Sequence, residues 1–156
     1  MKVDFYRHSL TATDGEEVSK VLASPFLTTG QVATRVESDL CLYFGVPHAA
    51  LVSSWTSGTM ATLMAMGIGP GDEVIVPAMA FIATANVVEI LGATAVLIDV
   101  DPGTLLITPE AVAKAVTART KAVIPVHLYG QMVDISALRS AICEAATPGQ
   151  HVYILE

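Results

Sequence analysis

Charge is sparse in this chain, and positive charge is sparsest. Only 15% of the residues are charged, eight Lys and Arg against fifteen Asp and Glu, for a net charge of −7. None of the basic residues forms a run. Surfaces for nucleic acid or anionic membrane need clustered Lys and Arg to offset phosphate charge, so the composition argues against both partners. Cysteine is nearly absent: Cys41 and Cys143 stand far apart with no CxxC. Neither a disulfide framework nor a zinc site is suggested, a reducing cytoplasm is the expected compartment, and both residues read as buried thiols. The opening MKVDFYRHSL carries acid and His where a signal peptide would have an unbroken apolar region, so export is not expected. The most apolar stretch, Val74 to Ile98, is interrupted by Pro77, Asn86, Glu89 and Gly92. Its pieces have the lengths of a strand, a helix and another strand, not of a membrane span.

Apolar residues are abundant, at 53% of 156 residues, with only 6% aromatics. A chain of this length can build a real core, and its thin charged surface suggests a face reserved for a partner or for further chain. Short Val/Ile-rich runs, apolar on both faces, predict strands at 49–53, 73–77, 94–99, 121–126 and 151–156. Helices are predicted between them at 57–66, 79–91, 109–116 and 134–146, with two more at 14–23 and 31–44. Asp14 with Glu17 has the pattern of a capping box, Thr108-Pro109 places an N-cap before a first-turn proline, and Asp134 can cap the next helix. The order from residue 48 is βαβαβαβαβ, a doubly wound α/β chain in which ligands gather at the carboxyl ends of the strands. Residues 1–47 read as an N-terminal helical segment and 48–156 as part of a larger α/β domain. Because the last apolar run reaches Glu156 where a functional loop would begin, the chain reads as the N-terminal piece of a longer protein.

Several stretches carry polar groups where chemistry would need them. In LVSSWTSGTM, residues 51–60, Ser53, Ser54, Thr56, Ser57 and Thr59 surround a helix start, where free N–H groups and the helix dipole attract an anion. The same hydroxyls suit plain N-capping. GIGPGDEV, residues 67–74, alternates glycines as nucleotide loops do, but it closes a helix and leads into a strand, so Gly67 reads as a C-cap and Pro70-Gly71 as a turn. DVDP, residues 99–102, offers the paired carboxylates of a metal-dependent glycosyltransferase or a routine turn. PVHLYGQ, residues 125–131, sets His127, Tyr129 and Gln131 just past a strand, and Phe81 and Asn86 follow another. Phe81 is either core or a ring face for a planar ligand.

Taken in order, FLTTG, LMAMGIGPGDEVIVPAMAFIATANVV, LGATAVLIDVDPGTLLITPEAV, TARTKAVIPVHLYGQMVDISALR and VYILE resemble the sugar aminotransferases of the DegT/DnrJ/EryC1/StrS family. That family has the aspartate-aminotransferase fold type and uses pyridoxal 5′-phosphate. The resemblance implies a three-layer αβα architecture with a mostly parallel or mixed sheet, here a partial large domain. It implies that Thr56 and Ser57 offer donors to the cofactor phosphate, that Phe81 stacks on its pyridine, and that Asn86 and His127 lie nearby. Thr28, Thr29 and Gly30 match a segment near the sugar-nucleotide substrate. Two departures accompany the match. Trp55 stands where the family has a small residue. The Asp that follows the family's ILE, and the later Lys that holds the aldehyde, are both absent. Lys2, Lys20, Lys114 and Lys121 lack the serine-rich context of that Lys, so no catalytic residue is assigned and the chain alone is expected to be inactive.

The parent protein would convert a nucleotide-linked 3- or 4-keto sugar to an amino sugar, for a surface polysaccharide or a glycosylated metabolite. Glutamate would be the amino donor, the enzyme a homodimer, and no metal is expected. The rival readings are a glycosyltransferase using Asp99 and Asp101, and a non-catalytic binding or regulatory module of the same fold.

Overall fold

The computed structural model describes residues 7–156. The chain divides into two compact units, Met1–Leu51 and Val52–Glu156.

In the first unit, helix α1 spans Ala12–Leu22 and helix α2 spans Gln31–Phe44. Helix α1 begins before the predicted residue 14. Thr11 is its N-cap, and Asp14, three residues on, receives the Thr11 N–H at 2.6 Å and the Thr11 hydroxyl at 2.8 Å. Asp14 therefore closes the capping motif from inside the helix instead of opening it. Helix α2 has the predicted bounds and ends on left-handed Gly45 (φ 65°), a backbone that a Cβ would oppose. Glu37 reaches out of α2 to accept the Leu51 N–H at 2.9 Å, tying down the chain that leaves the helix.

The second unit is a layered α/β body. Its elements are α3 (Trp55–Ala65), β1 (Glu73–Pro77), α4 (Ala83–Ile90), β2 (Thr94–Ile98), α5 (Pro109–Ala115), β3 (Thr120–Val123), α6 (Ile135–Ala145) and β4 (Tyr153–Ile154). The four strands pair in parallel in the order β2-β1-β3-β4. Strand side chains alternate between faces, and the packing follows that period. Val74, Val76, Ala122 and Ile124 pack with Leu63 of α3 and with Val87 and Val88 of α4. Ile75 and Val123 pack on the opposite side with Val112 of α5 and with Leu138 and Ile142 of α6. Helices therefore cover both faces, which is the expected three-layer αβα arrangement. Both N-caps predicted for this unit hold: Thr108 Oγ1 accepts the Ala111 N–H at 3.2 Å, and Asp134 Oδ1 accepts the Ala137 N–H at 2.9 Å.

Three further expectations, beyond the start of α1, are corrected. Residues 49–53 form no strand: they join no ladder, and Leu51 and Val52 are exposed. An apolar run becomes a strand only when a neighbour supplies the other half of each backbone hydrogen bond, and hydropathy does not specify that neighbour. Helix α4 starts at Ala83, not 79, leaving Phe81 in the preceding loop. Cys143 is exposed and Cys41 only half-buried. Cys143 follows Ile142, and one residue turns the helix about 100°, which carries the thiol off the core-facing stripe.

At the amino edge of the sheet sits a polar network. Glu73 accepts the Thr117 hydroxyl at 2.5 Å on one carboxylate oxygen, and Arg119 Nε at 2.9 Å together with Arg119 Nη2 on the other. The Thr117 hydroxyl first, and Arg119 second, hold the Glu73 carboxyl below the usual glutamate range. The register between β1 and β3 slips here: Glu73 opposes Thr120 while Val74 opposes Ala122, so Lys121 is an extra, bulged residue. Gln150 braces the same corner, its amide donating to the carbonyls of Thr117 at 2.8 Å and Thr120 at 2.9 Å.

Candidate functional site

Because all strands are parallel, their carboxyl ends share one edge, and the loops after them meet there. Helix α3 leads through a Gly67–Asp72 turn into the start of β1, and α4 runs from the end of β1 to the start of β2. Both helices therefore run against the strands and bring their N-terminal turns to the carboxyl edge.

The first turn of α3 is built by serines. Ser54 is the N-cap, and its Oγ accepts the Ser57 N–H at 3.1 Å. Ser57 answers with its own hydroxyl, 2.9 Å from Ser53 Oγ, 3.1 Å from Ser54 Oγ and 3.0 Å from the Ser54 carbonyl. Gly58 N–H closes the first helical bond to the Ser54 carbonyl at 3.0 Å. Among the described residues, the N–H groups of Trp55 and Thr56 have no partner, and the Thr56 hydroxyl makes no hydrogen bond. Two open donors thus stand at the positive end of an eleven-residue helix, where an anion would be favoured. A Cβ on Gly58 would stand 2.8 Å from Val52 Cγ2, so glycine lets the turn pack on the segment that precedes it. Of these hydroxyls, Ser54 and Ser57 do the capping, and Thr56 stays open.

On the same face lies the loop before α4. Phe81 presents its ring to solvent at 79% exposure, which excludes the core reading, and Asn86 is an exposed amide near the start of α4. The start of α4 has no side-chain cap.

After β3, His127 is enclosed, its side chain only 25% exposed. Its Nδ1 accepts the Val133 N–H at 3.1 Å and its Nε2 lies 3.1 Å from Glu156 Oε2. Between these residues the chain turns tightly, with the Gln131 N–H on the Leu128 carbonyl at 3.1 Å and both central residues left-handed, Tyr129 (φ 54°) and Gly130 (φ 76°). The Gln131 amide reaches the Thr104 carbonyl at 3.0 Å, fastening this loop to the one after β2. Tyr129 is exposed.

Asp101 is taken up by its own turn. One carboxylate oxygen accepts the Gly103 N–H at 3.0 Å, the Thr104 N–H at 2.8 Å and the Thr104 hydroxyl at 3.1 Å. The Thr104 N–H first, then its hydroxyl, lower the Asp101 carboxyl from its ordinary range. Asp99 bonds only its neighbour, the Val100 N–H, at 2.9 Å. Of the two readings of DVDP, the turn is the one formed. Among the described residues, no group of three or more His, Cys, Asp and Glu is placed to hold a metal ion.

Thr28, Thr29 and Gly30 belong to the other unit, in the loop between α1 and α2. Thr29 and Gly30 line a cavity of about 540 Å³ together with Lys20, Phe26 and Arg35. Thr29 is left-handed (φ 51°), an uncommon and costly backbone for a β-branched residue. Lys20 pairs with Glu17 on α1, Lys114 and Lys121 lie on exposed positions toward the amino edge, and Lys2 lies outside the described residues. No described lysine joins the carboxyl-edge cluster.

The structure thus gathers Thr56, Ser57, Phe81, Asn86 and His127 to one edge of the second unit. Ser53 and Ser54 announce themselves by capping chemistry, whereas Glu156 as the partner of His127, and Gln131 as a loop fastener, have no local signal in the sequence.

A model of the DegT/DnrJ/EryC1/StrS aminotransferase family matches residues 8–147. The chain is similar to a Streptococcus pneumoniae protein assigned as a sugar aminotransferase, solved in PMP- and PLP-forms. The PMP-form gives 31% identity and a TM-score of 0.88 over 96% of this chain and 38% of that one. It is similar to S. venezuelae DesV at 35% identity, with a TM-score of 0.83 over 92% of this chain and 38% of that one. A GDP-4-keto-6-deoxymannose-3-dehydratase, solved with a trapped PLP-glutamate geminal diamine, gives 25% identity and a TM-score of 0.87 over 99% of this chain and 40% of that one. The chain spans 38% to 40% of the length of these solved chains.

Proposed function

The chain belongs to the DegT/DnrJ/EryC1/StrS aminotransferase family, and from that premise we propose that its carboxyl edge is the phosphate-and-ring half of a pyridoxal phosphate site. The observation that carries this reading is the first turn of α3, whose Trp55 and Thr56 N–H groups stay open beside a hydroxyl with no other bond. A phosphate would take those donors and the helix dipole together. The exposed Phe81 ring fits the second need of the group, a flat apolar face against which a pyridine can stack. Asn86 lines the same edge with an amide.

When bound, the cofactor supplies the electron sink that makes a proton beside the amino nitrogen acidic. The residues of this chain hold and orient it. Ser54 and Ser57, already satisfied by one another, keep the turn rigid, so Trp55 and Thr56 meet the phosphate with donors that need no reorganisation. Phe81 covers one ring face and excludes water from it. Among the described residues no lysine lies at this edge, so this reading assigns the chain the holding of the cofactor and not the amino transfer itself.

That parent is assigned the conversion of a nucleotide-linked keto sugar to an amino sugar, as a homodimer in the reducing cytoplasm, with glutamate as donor. The glutamate adduct of the dehydratase relative supports the choice of donor. Thr28, Thr29 and Gly30 are assigned to the sugar-nucleotide substrate.

The substitution Thr56→Asp tests the phosphate assignment. An acidic residue in the first turn favours the helix but repels a phosphate. Affinity for 4-deoxypyridoxine 5′-phosphate, which has no aldehyde to bond a surface lysine, is expected to fall by about tenfold or more while Tm holds or rises. Unchanged affinity would refute the assignment.

A further inference from the structure

We infer that His127 is a positioning residue whose Nδ1 accepts from the backbone and whose Nε2 carries the ring proton, which locks the exits of β3 and β4 together and makes no ring-nitrogen contact to the cofactor. The inference rests on the proposed cofactor site only in calling that edge functional; the bonding is independent of it. Val133 N–H donates to Nδ1, so Nδ1 holds a lone pair, and the ring proton is on Nε2, 3.1 Å from the Glu156 carboxylate that accepts it. Both nitrogens are then used by the chain itself. A third partner at either nitrogen would break one of these bonds, and the Val133 bond is the more costly to lose, because Val133 is 5% exposed and its N–H would be left buried and unpaired.

The bridge lies at the exits of β3 and β4. Strands β3 and β4 share the register pairs Ala122↔Tyr153 and Val123↔Ile154, extended by the Leu155 N–H to the Val123 carbonyl at 3.0 Å. His127 continues the pairing through side chains, and its bond to Val133 closes the left-handed Leu128–Gln131 turn beneath it. The loop that carries Tyr129 is thereby fixed at three places: to the segment after β4 through Glu156, to itself through Val133, and to the loop after β2 through Gln131.

The test is ring ¹H–¹⁵N correlation spectroscopy on the 156-residue chain near neutral pH, with the His127→Asn spectrum assigning the signal. The expected pattern is a pyridine-type Nδ1 and a pyrrole-type Nε2 for His127. An Nδ1–H tautomer, or an averaged pair of tautomers, overturns the inference. Glu156→Gln keeps an acceptor and should preserve the tautomer with a displaced Nε2 signal; loss of the tautomer there would count against the bridge. In thermal unfolding, His127→Asn and Glu156→Ala should each lower Tm by about 2–4 °C, and the double variant should lose no more than His127→Asn alone. Additive losses would overturn the coupling. Adding 4-deoxypyridoxine 5′-phosphate should leave the protonation pattern of the ring unchanged, and a change would make His127 a cofactor ligand. If that probe does not bind at all, the cofactor reading fails while the tautomer result still decides this one.

Discussion

Replacing Glu73 with Gln isolates the charge of the amino-edge network, because glutamine keeps the shape and one acceptor oxygen. If that oxygen stays on Arg119, the new amide can donate to the Thr117 hydroxyl, so the hydrogen-bond count need not fall. What is lost is charge assistance on a carboxylate that is 8% exposed and faces a guanidinium that is 67% exposed. A fully buried pair broken on one side costs about 3–5 kcal/mol, but water can solvate this Arg119, which brings the expected cost down to about 1–2 kcal/mol. For a chain of this size that is a Tm loss of roughly 2–8 °C. The pH dependence supplies the sign. Thr117 and Arg119 lower the folded carboxyl below its unfolded value, so the stabilisation is complete above the ordinary glutamate range, near pH 4.3, and is lost as pH falls through the lower folded value. Calorimetry from pH 7 to pH 3 should therefore show a constant gap between wild type and Glu73→Gln at the neutral end, closing in acid. A gap that is absent at pH 7, or that persists unchanged at pH 3, would refute the reasoning.

The other predictions concern packing, capping and the site. Leu63→Ala, at a fully buried position between α4 and β1, should cost about 2–5 kcal/mol in urea unfolding; less than about 1 kcal/mol would contradict the layer packing. Asp134→Ala should cost about 1 kcal/mol by removing the acceptor for the Ala137 N–H, with Asp134→Ser recovering most of it. Phe81→Ala should leave stability within about 0.5 kcal/mol, because its ring is largely exposed. The same change should weaken binding of 4-deoxypyridoxine 5′-phosphate by roughly threefold to tenfold in isothermal titration calorimetry.

Legibility in the sequence tracks how local the deciding interaction is. Strand β1 is read to the residue because EVIVP is buried on both faces and bounded by a turn, and the caps at Thr108 and Asp134 are read because a cap acts within three residues. Residues 49–53 carry the same apolar signal as β1 but have no strand beside them, and that depends on chain far away in sequence. Helix α1 is misplaced at its start because Thr11 and Asp14 are both good caps, and only geometry decides that the later one folds back on the earlier. At the candidate site the hydroxyl cluster is legible as a helix start, while the openness of Thr56, in contrast with the engaged Ser57, is not. The His127 pairing with Glu156 spans 29 residues, and that of Gln131 with Thr104 spans 27, so neither leaves a spacing that sequence reasoning could recognise.

The proposed role of the first turn of α3 is to bind the phosphate of a pyridoxal-type cofactor. The most direct measurement compares the binding of 4-deoxypyridoxine 5′-phosphate with that of unphosphorylated 4-deoxypyridoxine to the 156-residue chain, by titration calorimetry at one ionic strength. The phosphorylated compound is expected to bind and the unphosphorylated one to be weaker by at least about tenfold, since it forfeits both open N–H donors and the helix dipole. Equal affinity for the two compounds, or binding of neither, would contradict it.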